Sequence, residues 1–180
     1  MHFGFEASGD KRIGKCYLEL PALAATASGM QFLGFKWSMG KLRLAVVSRY
    51  LAVAADSIPQ IHDLLLSNIA GWESAAAGLL DRVLGLNPGD LTAGPTVSDF
   101  RLLKVTEEGS DRLSYDLNTY ECELDISAIA DHLATISQNW NCPRHEFQAW
   151  RQQFDTATLG HLALGQNRSG EPFVTIYHQS

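Results

Sequence analysis

Four of the five tyrosines stand late in a strand-like segment, each with a polar or cationic residue two places before it: Lys15-Cys16-Tyr17, Ser48-Arg49-Tyr50, Asn118-Thr119-Tyr120 and Thr175-Ile176-Tyr177. Residues two apart in a strand point to one face, so each phenol shares a face with its polar partner. Strands favour aromatic residues for packing alone, which accounts for any single member of the set. The common register of all four points further, to one surface. Glu19, Ser114 and Asp116 have the same parity, as do Lys36 and Lys104 on the preceding strands, and Glu6 and His161. Phenol faces attract cations and ammonium groups attract anions. A face merely exposed to water has no need of this ring register. The expectation is a wet hollow.

The opposite parity is apolar: Cys16, Leu18 and Leu20; Ala45, Val47 and Leu51; Leu113, Tyr115 and Leu117; Val174 and Ile176. Amphipathic helices would pack there. Period-two segments and polar turns give four hairpins, His2–Ala7 with Ile13–Leu20, Gln31–Ser38 with Leu42–Ala52, Phe100–Thr106 with Leu113–Leu124, and Leu159–Gln166 with Pro172–His178. The first two repeat each other, Phe3-Gly4-Phe5-Glu6-Ala7-Ser8 against Leu33-Gly34-Phe35-Lys36-Trp37-Ser38. Between the hairpins lie helix signals. Asp56 or Ser57 caps a helix with Pro59 in its first turn and Gly71 at its end, and a second covers Glu73–Leu84. Asp125 or Ser127 starts a third, to Ser137, and Pro143 a fourth. The order ββ, ββ, αα, ββ, αα, ββ predicts an α+β domain. It is an antiparallel sheet of about eight strands, curled into an open or closed barrel, with helices outside.

With 180 residues, 46% hydrophobic and 19% charged, the chain reads as a single domain with its own core and not as a disordered segment. A net charge of −6 argues against a nucleic-acid binder. Three cysteines without a C-x-x-C spacing give neither a disulfide framework nor a zinc ribbon. No apolar run approaches the length of a membrane span and no leader is read near Met1, so the expected address is the cytoplasm. Phosphate-loop and dinucleotide motifs are missing, and His145-Glu146 lacks the second histidine of a zinc protease. His62, His132 and His161 have no partner at ligand spacing.

Lys15-Cys16-Tyr17 followed by Pro21, and the closing Pro172-Phe173-Val174-Thr175-Ile176-Tyr177, resemble strands of the aromatic prenyltransferases of the αββα type, above all the indole prenyltransferase branch. In that family hairpins flanked by helices close into a barrel with the active site inside. The resemblance implies that Lys15, Lys36 and Lys104 hold an allylic diphosphate. It makes Tyr17, Tyr50, Tyr120 and Tyr177 a shield around the carbocation, with Asn118 and Thr175 beside them in the substrate site. Glu6 resembles the early-strand acid that takes a proton from the aromatic acceptor. The family has five hairpins where four are read here; if the missing one is the first, that correspondence fails. Tyr50 and Tyr120 follow Ser48 and Asn118 instead of cations. No cofactor is implied, although Asp116 and Glu19 could bind magnesium with the diphosphate. The expected partners are a prenyl diphosphate and an aromatic small molecule, with neither nucleic acid nor membrane. Open strand edges would favour a homo-oligomer. The alternative is a non-catalytic barrel that binds a small molecule or isoprenoid, or a partner subunit.

Overall fold

The computed structural model describes residues 1–8, 11–21, 29–38, 44–69, 73–86 and 94–179. Its strands are β1 (His2–Ser8), β2 (Lys11–Glu19), β3 (Met30–Ser38), β4 (Leu44–Val53), β5 (Arg101–Glu107), β6 (Leu113–Asn118), β7 (Thr158–Gln166) and β8 (Pro172–Gln179). They form one 8-stranded antiparallel sheet in which every strand pairs with its neighbours in sequence, leaving β1 and β8 as its edges. The helices are α1 (Ile58–Leu66), α2 (Glu73–Val83), α3 (Ala130–Asn139) and α4 (Arg144–Phe154). The α+β class and the interleaving of hairpins with helices agree with the sequence reading. Among the described residues no helix is long and apolar enough to cross a membrane. The sequence predicts a turn at Met39-Gly40-Lys41 between the strands of the second hairpin and a proline- and glycine-rich loop over Asn87–Pro95; that turn, the helix stop at Gly71 and most of that loop lie outside the described residues.

Local chemistry sets the element ends. The Ser57 hydroxyl accepts from the Gln60 amide at 3.3 Å, while the Gln60 side chain accepts from the Asp56 amide at 2.7 Å. These contacts satisfy amides left open by the first helical turn, and Pro59 stands where its missing N–H costs nothing. Helix α1 ends at Leu66, before the expected stop, where the Ser67 hydroxyl and Asn68 amide both donate to the Leu64 carbonyl. Strand β6 also stops early, at Asn118 and not Leu124. The Thr119 amide donates to the Gly160 carbonyl and its hydroxyl reaches Leu159 and Gly160, so the chain leaves the ladder. It continues as a 3-10 turn over Tyr120–Cys122, followed by Glu123 in a left-handed conformation. The third helix starts later than expected because Ile126–Ile129 forms a 3-10 turn first.

One core joins sheet to helices. Leu117, Leu162 and Leu164 are fully buried against a cluster containing Ile61, Leu65, Leu79, Leu80, Ile129 and Ile136. Each such side chain contributes on the order of 1.5–3 kcal/mol on burial. Leu117 and Leu162 alternate along β6 and β7 with Asp116 and His161, which therefore point to the other face. The sheet is a curled half-barrel. Flat, it would hold β2 and β8 roughly 29 Å apart at the usual strand spacing. Yet Tyr17 of β2 and Tyr177 of β8 line one hollow.

Candidate functional site

The face opposite the helical core forms an open hollow with two adjoining lobes. One, of about 450 Å³, carries Lys15, Lys36, Arg112, Arg168, Glu107 and Asp116 in its wall. The other, of about 610 Å³, is aromatic, and all four register tyrosines line it together with Phe32 and His161. Tyr17, Tyr50, Asp116 and Tyr177 belong to both walls. The hollow is thus charged at one end and ringed at the other.

The register explains why the rings meet. Gly34 of β3 stands between Tyr17 and Ser48, so it offers no side chain where the phenols of β2 and β4 converge. A Cβ at Gly34 would lie 3.1 Å from the Tyr50 ring and 3.3 Å from that of Tyr17. The two rings meet edge to face at 5.9 Å, and Phe32 approaches Tyr50 in the same manner at 6.3 Å. These are favoured quadrupole geometries. Burial pushes the Tyr50 hydroxyl far above the ordinary phenol range, with Tyr17, Tyr177 and Asp116 adding to the effect. Tyr50 is therefore a neutral donor at any physiological pH.

Tyr120 reaches the aromatic lobe from outside the sheet. Its ring folds over Gly160, where a Cβ would lie 2.5 Å away, and meets His161 edge to face at 4.9 Å. The pairing of β7 with β8 shifts between Leu159 and His161, a bulge that re-aims the side chain following Gly160. His161 then sits beside Tyr177, at 5.9 Å between ring centroids, and its Nδ1 lies 2.8 Å from Asp116 Oδ1.

In the charged lobe, Lys15 and Lys36 stand directly opposite each other on β2 and β3. Like charges so placed repel, and an anion between them relieves the repulsion. Glu107 closes the far side, its side chain only 2% exposed. Arg168 holds one carboxylate oxygen and Arg112 the other, the latter at 3.4 Å. Arg112 also lies over the Phe173 ring.

Of the expected site residues, the structure brings Lys15, Tyr17, Lys36, Tyr50, Asn118, Tyr120, Thr175 and Tyr177 to the hollow. Lys104 is a correction. It pairs with Tyr115 on β6 and Leu51 on β4, whereas Tyr50 pairs with Val105. Lys104 therefore points to the face that carries the core, and Leu103, Val105 and Glu107 are the β5 residues in the hollow. Glu6 pairs with Ile13 through its backbone, and its side chain lies outside what is described. Glu19 and Asp116 both reach the aromatic lobe, but Asp116 is engaged by His161. Among the described residues, no group of three metal-binding side chains comes together.

Sequence reasoning missed Arg112, Arg168 and Glu107, which belong to turns or strand ends, and it left His161 without a partner. The missing signal was the register of β6 against β7, which sets His161 opposite Asn118 and one step from Asp116. No family model, curated protein or solved structure matches the chain.

Proposed function

We propose that the hollow binds an allylic diphosphate and transfers its prenyl group to an aromatic acceptor, an indole or a phenol, as the resemblance to the αββα prenyltransferases implies. On this reading the sheet is an incomplete barrel of that type, with the helices on its convex side. One observation carries it: three tyrosines in a common strand register, Tyr17, Tyr50 and Tyr177, and a fourth, Tyr120, from the turn after β6 line a single lobe that adjoins the lobe of Lys15 and Lys36. The ammonium groups would take the diphosphate, which carries about three negative charges near neutral pH. Its departure leaves a delocalised cation at C1 of the prenyl chain. Preorganised π faces stabilise such a charge, each by roughly 0.5–2 kcal/mol, and the rings keep out water that would quench it.

The second reading is a non-catalytic receptor for a small amphiphilic anion. It draws on Glu107, which occupies two of the charged lobe's four cations, and on Lys104, which lies on the other face. One experiment separates the two. The protein is incubated with dimethylallyl or geranyl diphosphate and a panel of indoles and phenols, with products followed by mass spectrometry and binding by calorimetry. Prenylated product supports transfer. Diphosphate binding without product leaves the receptor, and neither result rejects both.

A further inference from the structure

We propose that His161 is the general base of this site and that Asp116 is its positioning residue. The inference rests on the prenyl-transfer reading and adds the residue that accepts the proton. Nδ1 of His161 lies 2.8 Å from Asp116 Oδ1, the distance of a charge-assisted hydrogen bond. A carboxylate at one ring nitrogen takes its N–H and fixes the tautomer in which the other, Nε2, holds a lone pair. Asp116 is the more enclosed partner, its side chain 14% exposed against 28% for His161. The pair is also held from the backbone. The bulge at Gly160 sets the ring's direction, and Tyr120 and Tyr177 meet it edge to face. Among the described residues, the ring's hydrogen bond is the one to Asp116, which leaves Nε2 for a molecule in the aromatic lobe.

The chemistry balances without a further reactant. The C1–O bond of the prenyl diphosphate breaks and its electron pair leaves on the diphosphate oxygen. A bond forms between C1 and a carbon of the acceptor ring, giving an arenium ion. Nε2 then removes the proton from that carbon, aromaticity returns, and the imidazolium so formed is stabilised by the Asp116 carboxylate before it passes the proton to solvent. Asp116 orients the ring and takes no part in the proton's transfer.

The test compares wild type with His161→Gln and Asp116→Asn, using dimethylallyl diphosphate and the best indole acceptor between about pH 5 and 9. Among the described residues, the titratable groups that line the lobe with His161 are Tyr17 and Glu19 from β2, Tyr50 from β4, Asp116 from β6, Tyr120 from its turn, and Tyr177 and His178 from β8, of which Asp116, Tyr120 and Tyr177 meet its ring. Loss of a general base lowers kcat by about 10²–10⁴-fold. His161→Gln is expected to show that loss, with dimethylallyl diphosphate affinity within about twofold of wild type and the acidic limb of the kcat profile abolished. Asp116→Asn is expected to lower kcat by at least about tenfold without raising KM for dimethylallyl diphosphate, since it disturbs the orientation of His161 while removing a negative charge from the lobe that would hold the anion. Wild-type kcat and pH profile in His161→Gln would overturn the assignment while leaving prenyl transfer intact. Should that variant fail to fold, a normal kcat in Asp116→Asn overturns it equally. Failure of wild type to transfer at all instead removes the reading beneath, and the base with it.

Discussion

Glu107 makes two opposite demands on the molecule, and replacing it by glutamine separates them. Its carboxylate is 2% exposed and is shared by Arg112 and Arg168, whose side chains are 21% and 56% exposed. Breaking a buried ion pair by removing one partner costs about 3–5 kcal/mol. Here Arg168 can turn to water and the amide keeps the shape, so the expected loss is about 2 kcal/mol. In a chain of this size that lowers Tm by roughly 4–8 °C. The charged lobe gains from the same change, because among the described residues that line it Asp116 would then be the remaining carboxylate beside four cations. For a diphosphate taken at about 7 Å from the deleted charge, a water-like dielectric and physiological screening improve binding by about 0.7 kcal/mol, roughly threefold. Calorimetry with inorganic pyrophosphate, beside a thermal melt, reads both effects. A lower Tm together with a lower Kd is the expected pair. Weaker pyrophosphate binding, or an unchanged Tm, would sink the account of Glu107 as a buried anchor that also weakens the lobe's hold on anions.

Three further outcomes follow from particular placements. Lys15→Ala should weaken pyrophosphate binding by about tenfold, since charge-assisted contacts are worth on the order of 1.5–3 kcal/mol, whereas Lys104→Ala should leave the Kd within about twofold; the reverse order would contradict the β5–β6 register. Gly160→Ala drives a methyl group into the Tyr120 ring, so it should reduce ligand affinity as Tyr120→Ala does, and the double variant should add little; full additivity would place Tyr120 away from Gly160. Burial beside Asp99 and Glu121 pushes the Cys122 thiol up to about 11, and Cys142 is exposed. Iodoacetamide at pH 8 should therefore label Cys142 well before Cys122, and Cys122 labelling should keep accelerating toward pH 11; equal rates at pH 8 would refute the shift.

Much of the fold was legible because its signals are local. Ser57 with Pro59 marks a helix start by the chemistry of open amides, and alternation along Leu113–Leu117 separates core from hollow one residue at a time. The tyrosines at positions 17, 50 and 177 were legible for the same reason. What failed depends on pairing between strands. The parity of Lys104 is set by its partner Tyr115, because facing residues share a face and a hairpin's register cannot be counted from one strand. His161 acquires its carboxylate from 45 residues away, across a bulge that no alternation pattern encodes. Glu107 reads as a turn residue, since its burial comes from arginines on either side of later turns. Tyr120 reached the expected lobe by another route, from a 3-10 turn beyond the strand.

Since each strand bonds only to those before and after it, capacity in this architecture is quantised. Grafting one more hairpin onto either rim lengthens the arc by roughly 9.6 Å, two interstrand steps, with no existing ladder rethreaded. Guest size could then be chosen by counting strands, leaving the floor of phenols and lysines as it stands.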